Sequence, residues 1–125
     1  MTNFFGHYKA DNRVLERSRL LATPANDTYN VIKVPRYAFV LNVYLYVQTA
    51  FGALGSVTVG FTGNGEVANA TYFLDAALAN ATDAGMRQAD IAKYFPNAAG
   101  MITVTTVAGG GAGTLLVFAD YCVIH

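Results

Sequence analysis

Apolar and polar residues alternate along several stretches of the chain, as in β-strands that turn one side toward a core. The alternation predicts strands at Tyr29–Val34, Phe39–Thr49, Val57–Thr62, Met101–Val107 and Leu115–Ile124. The longest of these has an apolar face, predicted to lie in the core, that consists of Phe39, Leu41, Val43, Leu45 and Val47. Its other face consists of Val40, Asn42, Tyr44, Tyr46 and Gln48, a mixture that suits a hydrated face or an interface. The last stretch is apolar on both faces, which predicts a strand that is central or covered on both sides.

Glycine-rich turns suggest how the strands pair. The loops at Phe51–Ser56 and Ala108–Gly113 each separate two predicted strands. They predict two hairpins, which join Phe39–Thr49 to Val57–Thr62 and Met101–Val107 to Leu115–Ile124. The region between these hairpins is poor in strand signal.

The stretch Val57–Asp75 changes character within a few residues. After its strand, Gly63-Asn64-Gly65 signals a turn, and the polar run Glu66–Thr71 is predicted to be a surface loop. Tyr72-Phe73-Leu74 would anchor that loop on the core. Tyr72–Asn80 is rich in alanine, which predicts one or two helical turns.

These elements predict an all-β fold, a single-domain antiparallel β-sandwich of jelly-roll type with an extended N-terminal arm. We assign residues 1–28 to the arm and residues 29–125 to the sandwich domain. Two alternatives remain for the arm, because Asp11–Arg19 suits a packed edge strand or a segment that reaches a neighbouring subunit. Its local structure is also open, since Asn12 could cap a short helix or the residues from Val14 to Leu20 could be extended.

Charge narrows the range of partners. Only 13% of the residues are charged, about half the share of a typical soluble domain. Residues 1–36 carry six basic and three acidic side chains, whereas the remainder carries two and five. This asymmetry suits docking to an acidic surface or to a second copy, and it is too weak to predict nucleic-acid binding. No membrane span is predicted, because the apolar stretch Tyr37–Phe51 is short and contains Asn42 and Gln48.

Candidate catalytic groups and metal ligands are sparse. His7 and His125 stand at opposite ends of the sequence without ligand-spaced partners, and no nucleophile motif occurs. We therefore predict no catalytic residue, no metal site and no cofactor. Asp120, a charge within an apolar strand, is predicted to pair with an arginine or to accept hydrogen bonds at an interface. Cys122 is predicted to be a buried, inert thiol.

Several short motifs resemble small β-rich virion proteins of tailed bacteriophages. They are Thr58-Val59-Gly60-Phe61, Gly63-Asn64-Gly65, Tyr72-Phe73-Leu74-Asp75, Gly100–Val104 and Leu115–Phe118, together with the opening Lys9–Arg13 and Leu15–Ser18. They are spread over most of the chain. Phe61 departs from the pattern, which has a small or acidic residue at that position.

The resemblance implies a capsid cement or decoration protein rather than an enzyme. Such a protein would be a homotrimer on the capsid surface of the virion, where it binds the major capsid protein and stabilises the shell. The residues expected to contact the capsid or a neighbouring subunit are Phe4, Phe5, Arg13, Arg17, Arg19, Tyr44 and Tyr46. The alternative is a tail or head-fibre module that binds a host-surface glycan or another receptor.

Overall fold

The computed structural model describes residues 13–22, 26–52, 55–107 and 113–124. Its elements are β1 (Arg13–Arg17), β2 (Leu21–Ala22), β3 (Asp27–Val34), β4 (Ala38–Thr49), β5 (Ser56–Gly63), β6 (Glu66–Leu74), α1 (Ala76–Ala79), β7 (Gly85–Gln88), β8 (Lys93–Tyr94), β9 (Gly100–Val107) and β10 (Thr114–Val123). All five strands predicted from alternation are present, with ends that differ by one or two residues. No helix in the described ranges is long and apolar enough to cross a membrane.

The strands form two antiparallel sheets. Sheet A has the order β1-β10-β4-β7, with β2 also paired to β10 and β8 to β4, and sheet B has the order β3-β9-β5-β6. The apolar faces of the two sheets form one core, which includes Val43, Leu45, Val59, Val104 and Val117. The predicted all-β sandwich is therefore confirmed, whereas its jelly-roll type stays a prediction.

Both predicted hairpins are wrong. β4 belongs to sheet A and β5 to sheet B, and β9 and β10 are likewise divided between the sheets. Alternation tells which side of a strand faces the core, but it carries no information about the neighbouring strand. The six-residue connections after β4 and β9 are long enough to cross the roughly 10 Å between packed sheets.

A bulge in β4 changes which residues face the core. The pairing with β10 skips Leu41, which is the extra residue of a β-bulge. The core side therefore carries Ala38 and Val40 before the bulge and Val43, Leu45 and Val47 after it. Phe39 and Leu41, which were predicted to be in the core, are only half-buried, and Val40, which was predicted to be on the other face, is fully buried.

The predicted surface loop Glu66–Thr71 is instead the first part of strand β6. A tight turn precedes it, in which Gly63, Asn64 and Gly65 have φ angles of 97°, 58° and 68°. Glycine and asparagine tolerate this left-handed region, and that is why this turn signal was informative. The side chains from Glu66 to Thr71 are all exposed, so the strand lacks the alternation that identified the others.

The predicted helical segment is a single turn. Helix α1 begins after Asp75, whose carboxylate accepts a hydrogen bond of 2.8 Å from the backbone N–H of Leu78. Asn80 ends the turn in the left-handed conformation, with φ of 43°. An N-cap carboxylate and a C-terminal asparagine are ordinary limits of so short a helix.

Strand β1 fixes Arg13–Arg17 against the edge of sheet A, which is the first of the two alternatives for this part of the chain. The Tyr121 hydroxyl donates a 2.8 Å hydrogen bond to Glu16. Burial, followed by this carboxylate, raises the pKa of Tyr121 to about 12. The buried Ser18 then exchanges hydrogen bonds of 2.8 and 2.9 Å with the backbone of Val117. The predicted boundary at residue 28 stays a prediction, and residues 1–12 lie outside the described ranges.

Candidate interaction face

The side of sheet A that points away from the core carries a cluster of large apolar side chains. We call it the aromatic face and define it by Leu15, Tyr44, Tyr46, Met86, Leu116 and Phe118. The pairing of β10 with β4 forms the centre of this face, because Phe118 lies opposite Tyr44 and Leu116 lies opposite Tyr46. Directly opposed side chains in an antiparallel pair lie about 5 Å apart at Cβ, so these four residues form one continuous surface.

An open depression of about 650 Å³ lies on this face. Its lining consists of Arg13, Leu15, Tyr44, Met86, Phe118 and Asp120. Leu15 and Met86, which come from the two outer strands of the sheet, are 67% and 54% exposed. A hollow with aromatic and aliphatic walls is suited to receive apolar side chains of a partner.

A row of polar side chains crosses the same face from β1 to β7. Arg13 forms a two-pronged ion pair with Asp120, in which Nε donates to Oδ1 over 2.7 Å and a terminal nitrogen donates to Oδ2. Asn42 donates to the same carboxylate over 3.4 Å, and Gln88 donates to the Asn42 oxygen over 2.9 Å. Bidentate arginine–carboxylate pairs are directional, so the row fixes four neighbouring strands in register.

The predicted arginine partner of Asp120 is therefore Arg13. The hydrogen bonds from Arg13 lower the pKa of the Asp120 carboxyl, against the smaller opposing effect of burial. The same pair raises the pKa of Arg13. Asp120 is thus held as a carboxylate, which suits an ion pair and not a group that must donate a proton near neutral pH.

The outer side of sheet B has a different composition. The outward-facing residues of β3, β5 and β9, which alternate along each strand with core residues, include Thr28, Thr58, Thr62 and Thr105. The hydroxyls of Thr28 and Thr105 lie 3.0 Å apart across β3 and β9. Threonine combines strand propensity with a polar group that water can solvate. Sheet B therefore presents a face suited to water, whereas sheet A presents one suited to contact.

A second cluster surrounds Lys93 at the edge of the sandwich. Its ammonium lies 2.6 Å from the Glu66 carboxylate and 4.5 Å from the centre of the Phe61 ring, with Tyr72 and Phe95 slightly farther away. Hydrogen bonds from Lys93 and then Asn64 lower the pKa of Glu66. Phe61, the departure from the phage-like pattern, is thus a buried ring that contacts a lysine.

The predicted contact residues occupy different places. Tyr44 and Tyr46 lie on the aromatic face, Arg13 closes one end of the depression, and Arg17 and Arg19 are exposed nearby. Phe4 and Phe5 lie outside the described residues. Sequence reasoning missed Leu15, Met86 and Phe118, although the apolar second face of the last strand was a usable signal for Phe118.

Cys122 is half-buried on the outer side of β10, so the prediction of a buried thiol is wrong, whereas its inertness stays a prediction. The reason is its phase, since the buried residues of β10 are Leu115, Val117, Ala119 and Tyr121. Within the described ranges, no group of three or more His, Cys, Asp or Glu side chains could hold a metal ion.

Chains with this fold occur in several solved structures, among them three phage capsids. A chain in the acidic stable capsid structure of Helicobacter pylori bacteriophage KHP30 has a TM-score of 0.69 and 20% identity, and the match covers 89% of this chain and 87% of that one. A chain in the Cyanophage Pam1 capsid asymmetric unit has a TM-score of 0.67 and 19% identity, and the match covers 90% of this chain and 86% of that one. A chain in the capsid of Ralstonia phage GP4 has a TM-score of 0.61 and 14% identity, and the match covers 90% of this chain and 85% of that one.

No protein-family model matches the sequence, and no curated protein does so either. At identities of 20% or less, the structural likeness shows a common fold. All three neighbours come from phage capsids, the class of particle that the sequence motifs resemble, so the resemblance is confirmed at the level of fold.

Proposed function

We propose that this protein is a structural subunit of a bacteriophage virion that binds the major capsid protein on the outer surface of the shell and stabilises it. The observation that carries the proposal is the match of nearly the whole chain to chains in three phage capsid structures. The subunit acts as a homotrimer, and its role is mechanical and not enzymatic.

The extent of the match supports an accessory subunit. Each comparison covers about nine-tenths of this chain and at least 85% of the neighbour. The neighbours are therefore small chains of similar length, and the match is not to one domain of a longer polypeptide. A small sandwich of this size is suited to attach to a shell formed by other subunits.

The aromatic face supports a contact role for sheet A. Interfaces are enriched in Tyr, Phe, Met and Arg, and all four residue types line the depression. The neighbouring Arg13–Asp120 pair adds direction to a contact that apolar groups alone would leave unspecific. On this proposal, Tyr44 and Tyr46 bind a shell subunit or a neighbouring copy.

The test is to locate and count the protein in particles of the phage that encodes it. Quantitative mass spectrometry of purified virions is expected to give many copies per particle, and electron cryomicroscopy is expected to show density for the sandwich on the shell surface. Absence from virions would overturn the proposal. Density confined to the tail or to head fibres would favour the receptor-binding alternative.

A binding experiment tests the proposed surface. Tyr44→Lys places a charge in the centre of the aromatic face, and we expect it to reduce binding to capsids that lack the protein by at least tenfold. Thr58→Lys makes the same kind of change on the outer side of sheet B and should bind as the wild type does. Equal binding of both variants would exclude the aromatic face as a contact surface.

A further inference from the structure

The aromatic face is uncovered in the described part of the chain, and the sequence contains a segment suited to cover it. Residues 1–8, Met-Thr-Asn-Phe-Phe-Gly-His-Tyr, contain three aromatic rings at Phe4, Phe5 and Tyr8 and no Asp, Glu, Lys or Arg. Two or three such side chains are of the right size and polarity for an apolar depression of about 650 Å³.

Residues 1–12 are also long enough to reach such a site. Twelve extended residues span about 40 Å, which equals the length of a twelve-residue strand such as β4. The charged residues of the segment, Lys9 and Asp11, lie close to its junction with β1. The uncharged part is therefore the part farthest from β1 along the sequence.

The first residue of β1 lies at the polar end of the depression, away from its apolar floor. The strand starts at Arg13, opposite Cys122, and runs toward Arg17, opposite Phe118. The floor residue Phe118 is thus opposite the last residue of β1, and residues 1–12 join the strand at its other end. A segment that turned back would cross the Arg13–Asp120 pair and remove water from both charges, which costs free energy.

We propose that residues 1–8 of one copy pack into the depression on the aromatic face of a neighbouring copy. Phe4 and Phe5 enter the hollow between Leu15 and Met86, and Phe118 and Tyr44 form its floor. Each copy gives its segment to one neighbour and receives the segment of another. A head-to-tail contact of this kind closes into a ring when the rotation permits it, and we expect the homotrimer.

The proposal deepens the assigned virion role but is tested on the purified protein alone, so its failure and the failure of capsid binding are distinguishable. Native mass spectrometry and light scattering are applied to the full chain, to a variant that lacks residues 1–12 and to Phe118→Lys. We expect an oligomer for the full chain and monomers for both variants. Circular dichroism and thermal melting check that each variant is folded, and Tyr44→Lys, at the other floor residue, replaces Phe118→Lys if that variant does not fold.

Mixing the two variants gives the decisive result. The truncated copy retains a depression and the Phe118→Lys copy retains a segment, so the mixture is expected to form a complex of one chain of each. A control mixture of truncated protein with truncated protein should stay monomeric. The proposal is overturned if the full chain is monomeric, if the truncated chain remains oligomeric, or if the two variants form no complex.

Discussion

Gly60 offers a direct test of how β6 lies on sheet B. A Cβ atom added at this position would lie 2.0 Å from the carbonyl oxygen of Asn69 and 2.5 Å from the carbonyl carbon of Ala70. Real Cβ atoms essentially never approach another heavy atom within 3.0 Å. Both obstructing atoms belong to the backbone, so a side-chain rotation cannot relieve the overlap. Gly60→Ala must therefore lift part of β6 by about 1 Å.

The expected loss follows from two contributions. Forcing a methyl group into filled space costs about 1–3 kcal/mol. One or two weakened hydrogen bonds between β5 and β6 add about 1 kcal/mol in total. The free energy of unfolding should therefore fall by about 2–4 kcal/mol, which corresponds to a Tm lower by about 8–16 °C for a chain of this length.

Gly65→Asn is the matched control, measured by the same thermal and urea unfolding. Gly65 has φ of 68° and no heavy atom within 4 Å of an added Cβ. Asparagine tolerates this conformation, so we expect a change of less than about 1 kcal/mol. If Gly60→Ala melts within about 2 °C of the wild type, the argument that β6 crosses directly over Gly60 is wrong.

Two further predictions concern the cluster around Glu66 and Asn64. The pKa of Glu66 is lowered in the folded state, so its stabilising effect is present above the unfolded pKa of about 4.3 and is lost as the pH falls through the folded pKa. Glu66→Gln should consequently lower the Tm at pH 7 but narrow its difference from the wild type at pH 3, and a constant difference would contradict this. Asn64 is 2% exposed and accepts hydrogen bonds of 2.9 and 3.3 Å from the N–H groups of Asn97 and Ala98. Asn64→Gly keeps the backbone conformation but leaves these two N–H donors unpaired. Urea unfolding should therefore give a free energy of unfolding that is lower by about 1–3 kcal/mol. An unchanged free energy would show that the Asn64 side chain is dispensable.

Alternation identified the strands that have one side in the core, because burial imposes a period of two residues. It failed for Glu66–Thr71, where both sides are exposed and no period exists. It also gave the wrong face for Phe39 and Leu41, because a bulge reverses the phase without leaving a sequence signal as strong as glycine or proline. Pairing could not be predicted at all from these patterns, since it depends on contacts between residues far apart in sequence.

The candidate face was predictable in part. The tyrosines of β4 and the apolar second side of β10 both indicated a sheet with two contact surfaces. The contributions of Leu15 and Met86 were not predictable, because they come from short edge strands without a clear pattern. Asp120 was recognised as needing a partner, and the pairing of β1 with β10 explains why that partner is Arg13.

The division of sequence neighbours between the two sheets also affects how the chain folds. Among the described strands, β5 and β6 are the one pair that is adjacent both in sequence and in a sheet. All other described pairings close longer loops, and non-local pairing places all-β domains in the millisecond-to-second range of folding times. The turn at Gly63–Gly65 can form within about 1–10 μs and is therefore the natural starting point for sheet B. In sheet A, β10 pairs with β1, β2 and β4, which all lie far from it in sequence, so these pairings are expected to form later.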